Sequence, residues 1–305
     1  MQLRVVVMSS SGFLRIEPHT LHKYNILRKY LKVCEIFDKH YSNFVYVDTH
    51  GGSGKVSLGD KWVEGSPLIA GNWSPSFPCH IVEIDPATYG CLCQSTSSCA
   101  NVNVYHGDCN GLIDSILSKI EKWKKFVLCF VDPSSLVYRG SDGTECDQLH
   151  ANTVRKIAQF PRSELLLNFP LESILRCAGD YLANPTEPRA IASGQRVITL
   201  MGSTTWQEIT LSESQSQRNR RAFLEIYMSE LLDKYPYKGA FLVRSEERNL
   251  PIYYLVYATN NKVAAKIMRS IMKKEGNFAL HYDMIKGKPQ TLDEVYPLER
   301  FIFES

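Results

Sequence analysis

The chain alternates between two patterns. Short runs at 44–47, 79–84, 126–131 and 164–169 are apolar at nearly every position. Longer stretches at 20–41, 112–122, 218–233 and 262–274 repeat apolar residues every three or four positions. Continuous apolar runs of four to six residues suit strands buried on both faces, and the three-to-four repeat suits amphipathic helices. With weaker signals for a strand at 101–105 and helices at 68–72, 85–94 and 146–159, the order reads strand–helix–strand. That order predicts an α/β sheet that is mostly parallel. Two further runs, 240–244 and 252–258, flank a polar turn at 245–249 and predict an antiparallel pair closing the sheet. The total is seven strands.

The pattern changes over 171–237, where a short helix, a proline-containing loop at 184–188 and the 218–233 helix predict a helical insertion covering the active edge. The expected organisation is 1–170 as a cofactor-binding half with an N-terminal helix, 171–237 as the insertion, and 238–305 completing the same domain. A short strand is expected at 3–8 and a polar loop at 57–64. The 20–41 helix turns Leu21, Tyr24, Leu27, Leu31, Cys34 and Phe37 inward, leaving His22, Lys23, Arg28, Lys29 and Lys32 as a solvated face. Arg218, Arg220 and Arg221 read as a solvated helix start, with phosphate contact as the rival.

Composition adds bounds. The 305 residues are 44% hydrophobic, enough for one large domain. A net charge of +3 announces neither nucleic acid nor membrane. No apolar run reaches the roughly 18 residues of a membrane span. Nine cysteines without a disulfide-type spacing predict a cytoplasmic protein with reduced thiols. Cys91, Cys93 and Cys99 match no metal-ligand spacing, and no metal is expected.

The chemistry concentrates where strands end. After the first run come Asp48-Thr49-His50-Gly51-Gly52-Ser53-Gly54-Lys55. The glycines let backbone approach a ligand closely. A phosphate-binding P-loop fails here, because Val56 follows Lys55 and Thr49 stands where the first glycine belongs; the dinucleotide fingerprint is absent too. His50 is a candidate general base or a turn residue. The second run ends at Glu83 and Asp85, where an acid can accept hydrogen bonds from ribose hydroxyls. The third is followed by Gly107-Asp108. The fourth ends in Asp132-Pro133-Ser134, an acceptor for an amine stiffened by proline, beyond the carboxyl end of a central strand.

The glycine turn resembles motif I of S-adenosylmethionine-dependent methyltransferases. That resemblance implies a cofactor site of Asp48, His50, Gly51, Gly52, Gly54, Glu83, Asp85 and Asp108, with Asp108 against the adenine amino group. Asp132 is placed as in amino methyltransferases that carry Asp-Pro-Pro-Tyr, but Ser134 and Ser135 replace the proline and the stacking aromatic. More widely, the ordered motifs Asp48-Thr49-His50-Gly51-Gly52-Ser53-Gly54, Gly65-Ser66-Pro67-Leu68, Ile81-Val82-Glu83-Ile84-Asp85, Gly107-Asp108-Cys109-Asn110 and Val131-Asp132-Pro133 resemble the three-Cys-motif partner proteins. His22-Lys23-Tyr24-Asn25-Ile26-Leu27 and the 253–259 segment fit as well. The family implies a Rossmann-like methyltransferase fold and a partner protein. The expected function is an S-adenosylmethionine-dependent methyltransferase, with Asp132, Pro133 and Ser134 at the amine or nucleic-acid-type acceptor. The rivals are a non-catalytic binding module of the same fold and another nucleotide-using enzyme.

Overall fold

Successive strand residues point to opposite faces of a sheet, and that rule decides which side chains meet here. The computed structural model describes residues 13–41, 43–73, 77–209, 216–245, 250–275, 279–283 and 288–289. The expected strand at 3–8 and the turn residues 246–249 lie outside these.

A two-residue strand, β1 (Leu14–Arg15), precedes the long helix α1 (Thr20–Tyr41) and β2 (Phe44–Asp48). A hairpin of β3 (Lys55–Leu58) and β4 (Lys61–Glu64) leads to α2 (Ser66–Trp73), β5 (Cys79–Glu83), α3 (Pro86–Ser95), β6 (Val102–His106), α4 (Cys109–Ser118) and β7 (Phe126–Val131). A second hairpin, β8 (Val137–Arg139) and β9 (Glu145–Asp147), precedes α5 (Ala151–Gln159) and β10 (Ser163–Phe169). Helices α6 (Leu171–Ala183), α7 (Pro188–Met201) and α8 (Ser216–Leu231) follow. The described chain closes with β11 (Tyr237–Arg244), β12 (Pro251–Thr259), α9 (Lys262–Lys274), β13 (Ala279–Asp283) and β14 (Lys288–Pro289).

The main sheet runs β6-β5-β2-β7-β10-β12-β11-β13-β14. Its first five strands are parallel, and β12 is antiparallel to both β10 and β11. This is an α/β, Rossmann-like, methyltransferase-type sheet. The seven expected strands are all present; β13 and β14 extend the edge beyond them. The chain builds outward from β2 through β5 to β6, then crosses back to β7 and β10. The reversal leaves a crevice at the carboxyl ends of β2 and β7, the position where such sheets bind ligands.

Two cores flank the sheet. Val45, Val47, Val127, Cys129, Val131, Leu165 and Leu167 face the side covered by α4 to α8. Phe44, Tyr46, Leu128, Phe130 and Leu166 face the side covered by α1, α2 and α9. Burial on both faces explains why these strands read as unbroken apolar runs. Each buried aliphatic or aromatic side chain stabilises the fold by about 1.5–3 kcal/mol relative to exposure. The helices of 171–231 pack into the first core through Ile174, Val197, Phe223 and Tyr227.

Several expectations are corrected. The polar loop at 57–64 is the β3–β4 hairpin, whose turn carries Gly59 at φ 57°. The helix expected from 146 starts at Ala151, because Glu145–Asp147 pairs with Val137–Arg139. Helix α7 was not expected; Pro188 starts it and Gly202, at φ 75°, ends it. Phe37 is half exposed, and Lys23 is buried.

Candidate functional site

Strand parity assembles the site. Asp48 continues the even-numbered face of β2, Asp132 that of β7, and Asn168 that of β10, so all three face α1. Asp48 and Asp132 stand on adjacent strands on either side of the crevice. Thr49 N–H donates to the Phe130 carbonyl at 3.1 Å and ties the two strand ends together.

Asp48 is fully buried. It accepts from the His50 backbone N–H at 3.1 Å and from the Tyr46 hydroxyl at 3.1 Å. Burial pushes its carboxyl up to about 7, against the pull of hydrogen bonds from Ser66, His50 and Tyr46. His50 Nε2 lies 3.1 Å from the Gln148 carbonyl, which can only accept, so Nε2 carries the proton. Nδ1 is then free to accept from the Thr49 hydroxyl at 2.8 Å. Burial lowers the imidazole's basicity and favours this neutral form. A ring held at both nitrogens is a turn anchor rather than a free base.

The glycine turn is fixed by its surroundings. Gly52 and Gly54 take φ of 63° and 76°, a region costly for residues with a Cβ. A Cβ on Gly51 would meet Ile81 Cγ2 at 2.4 Å, and one on Gly54 would meet Ser95 Cβ at 2.7 Å. Gly51 N–H donates to the Val82 carbonyl at 2.8 Å, seating the turn on β5.

Glu83 joins the turn to the neighbouring strand end. One carboxylate oxygen accepts the Gly52 N–H at 2.8 Å, the other the Asp85 N–H at 2.8 Å. Burial raises this carboxyl above its ordinary range, and the two N–H donors oppose the rise. The Ile84 N–H acts on the same carboxylate, so three backbone donors oppose the rise. Asp85 caps α3 by accepting from Thr88 N–H at 2.8 Å, and its other oxygen accepts from the Tyr138 hydroxyl at 2.8 Å. Burial pushes Asp85 up, but these donors outweigh it and hold it below its usual range. Asp108 caps α4 and also accepts from the Asn110 amide, at 2.8 Å.

The Asp132 end differs most from its sequence reading. Lys23 Nζ reaches both carboxylate oxygens, at 2.7 and 2.6 Å, with both side chains about nine-tenths buried. The ammonium also sits 5.8 Å from the ring centres of Tyr24 and Tyr253, within reach of a cation–π attraction. Asn168 Nδ2 donates to Asp132 at 2.8 Å and to the Pro133 carbonyl at 3.3 Å. Its own Oδ1 is buried without a partner. Asn168 itself is 7% exposed. A buried acceptor left unpaired costs about 1–3 kcal/mol, so Asn168 Oδ1 is the unspent hydrogen-bonding atom of this cluster.

Gln148, which nothing in the sequence singled out, organises the loop after β7. Its amide donates to Ser134 Oγ at 3.0 Å and Ser135 Oγ at 3.2 Å, and accepts from Ser134 N–H at 2.9 Å. Its backbone carbonyl holds His50. Ser134 is thus fixed at an exposed corner, and Pro133 is buried below it. Arg221 pairs with Glu225 at 2.8 Å within α8. Cys99 donates to Asn72 Oδ1 at 3.4 Å, and Cys91 and Cys93 are half-buried on α3. Among the described residues, no helix is long and apolar enough to cross a membrane.

No family model matches the sequence, and no curated protein matches it. Solved structures do align. A Legionella pneumophila protein of family DUF519 is 12% identical, with 87% of this chain and 93% of that chain covered at a TM-score of 0.47. A proposed methyltransferase from Thermobifida fusca is 12% identical, covering 80% and 82%, at 0.40. M. jannaschii TYW2, solved in complex with AdoMet, is 11% identical, covering 83% and 77%, at 0.35. At such identities the likeness is one of architecture alone.

Proposed function

We propose that this protein is an S-adenosylmethionine-dependent methyltransferase whose acceptor is a neutral amine, such as the exocyclic amine of a nucleobase, and that it works with a partner protein. The observation that carries this reading is the buried, unpartnered Asn168 Oδ1 beside Asp132, at the switch point of the sheet. The cofactor would supply an electrophilic methyl group on a sulfonium centre.

The chain's residues fit such a group. Glu83 has room for one further hydroxyl donor beside its backbone N–H partners, and Asp108 and the Gly51–Gly54 turn lie along the same edge. Asp48 and His50 would act by fixing the turn, Asp85 by fixing α3. At the acceptor side, Asn168 Oδ1 and the remaining lone pair of Asp132 would take the two N–H groups of an amine, aiming its own lone pair outward. Pro133 and Ser134 would set the rim. Lys23 decides the charge. With the ammonium already paired to Asp132, a second cation gains little there, whereas an uncharged amine keeps the lone pair that transfer needs.

Two observations favour the non-catalytic module instead: Lys23 Nζ already engages both Asp132 oxygens, and Asp85 and Asp108 serve as helix caps. Calorimetric titration with S-adenosylmethionine and S-adenosylhomocysteine separates the readings. Saturable binding, weakened at least tenfold in Glu83→Gln, is expected. Silence with both ligands leaves the binding module. Methyl transfer to RNA, DNA or protein pools, lost in Asn168→Ala with cofactor affinity retained, would complete the case.

A further inference from the structure

Helix α9 carries a charge pattern unlike the rest of the chain. Its 13 residues hold five lysines and arginines and no acid. The whole chain is nearly balanced, with 35 basic and 32 acidic residues. Lys262, Lys266, Arg269 and Lys273 recur at i, i+4, i+7 and i+11, which places them along one side of the helix. The opposite side is spent: Ala264, Ala265, Met268 and Met272 are buried against the sheet. Lys262, Lys266, Lys273 and Lys274 form no ion pair among the described residues.

An open depression of about 410 Å³ lies among the side chains of Lys266, Arg269, Ser270, Lys273 and Lys274 on this face. A second, also about 410 Å³, begins at Lys262 and includes Arg162, Asn260 and Asn261, with the acid Glu164 and the rings of Phe126 and Tyr237 in its wall. From Lys262 to Lys274 the helix rises about 18 Å, the length of roughly five phosphates on one strand.

We infer that α9 is a track for a phosphodiester backbone, taking a single strand of RNA or DNA without reading its sequence. Lysines spaced along one helix face supply what phosphates need: cationic donors, and release of bound counterions on contact. A membrane surface is a poorer match, since a membrane-binding helix offers a broad apolar face to lipid, whereas on α9 Ala264, Ala265, Met268 and Met272 are buried and Val263 is the one large apolar side chain left exposed. The track also leads somewhere. Because β12 runs antiparallel to β10 and ends beside Glu164, α9 starts at the far edge of the sheet and returns toward the ligand edge. Glu275, just past its end, pairs with Lys29 of α1. Lys23 lies six residues earlier on α1, about 9 Å along the helix. This inference deepens the acceptor reading and rests on it for what the track delivers; binding to the track is measured apart from it.

The test is fluorescence anisotropy with labelled 20-nucleotide single strands of RNA and DNA of one sequence, titrated with salt. Wild type is expected to bind at low salt with a log–log slope of about −3.5, from five phosphates at about −0.7 each. Lys266→Glu with Lys273→Glu should weaken binding at least tenfold and flatten the slope. A charge-matched control, Lys122→Glu with Lys234→Glu, should bind as wild type; both lysines are exposed and lie off α9. The RNA and DNA arms show which sugar is preferred. The inference is overturned if wild type binds neither strand, if the α9 variant keeps wild-type affinity, or if the control loses as much. Binding only to phosphatidylserine vesicles would overturn it too. S-adenosylmethionine titration of the α9 variant should be unchanged, so a silent cofactor titration and a silent anisotropy titration refute different statements.

Discussion

Helix α1 meets the sheet at two buried carboxylates, and the two are solved differently. Near the amino-terminal end of β10, Glu164 is held by hydroxyls alone. Tyr30 donates to it, Tyr257 does so at 3.0 Å, and Thr259 at 3.1 Å. At the other end, Asp132 is held by a lysine and an amide that keeps a free acceptor. Both arrangements follow from periodicity. Lys23 and Tyr30 are seven residues apart on one helix face, and Glu164 and Asn168 four apart on one strand face. Burial raises Glu164, as it also raises Asp48. A perturbed acid therefore does not mark a site by itself. Position at the carboxyl edge and an unspent hydrogen-bonding atom distinguish Asp132, while Glu164 is a closed, structural network.

The contrast can be broken from either end. Replacing Lys23 with Met strands a buried carboxylate and should cost about 3–5 kcal/mol in urea unfolding, with much of that recovered by adding Asp132→Asn. A cost near zero for the single change would mean the pair is solvated. Glu164→Ala leaves three hydroxyls short of their acceptor and should cost about 3 kcal/mol, with S-adenosylmethionine binding unaltered. Loss of binding there would erase the distinction between the two ends.

A pH comparison sharpens it further. Asp48 sits near pH 7 in the fold against 3.8 ordinarily, so its contribution is complete below about pH 4 and is lost as pH rises through 7. Glu164 and Glu83 are also raised and share this sign. Urea midpoints between pH 5 and 8 should fall less steeply in Asp48→Asn than in wild type; parallel curves would refute the assignment. The smallest effect belongs to the Lys39–Glu35 pair of the same helix, 2.9 Å apart, whose lysine faces solvent. Lys39→Ala should shift stability by no more than about 0.5 kcal/mol.

Much of this was legible in the sequence. Strands buried on both faces announce themselves as apolar runs, which is why β2, β5, β7 and β10 were located. Their ends, with Asp48, Glu83 and Asp132, followed directly. Lys23 was misread because residue type outweighed position: it lies one residue before Tyr24, on the face that carries Leu27 and Tyr30, and Asp132 supplied the missing counter-charge. The β3–β4 hairpin hid behind polar residues, although Gly59-Asp60 between Leu58 and Lys61 was its turn signal. Helix α7 was bracketed by Pro188 and Gly202, a start and a stop that went unread. Gln148 had no local signal, since its role comes from a loop crossing between strand ends.

The absence of room beside Gly51 has a consequence for any molecule that docks at this margin. Ile81 and Val82 dictate where the bend lies, whether or not a guest is bound. The conformational entropy of shaping that surface is thereby lost once, when the chain folds, and an arriving ligand meets a rigid mould rather than one it must first set.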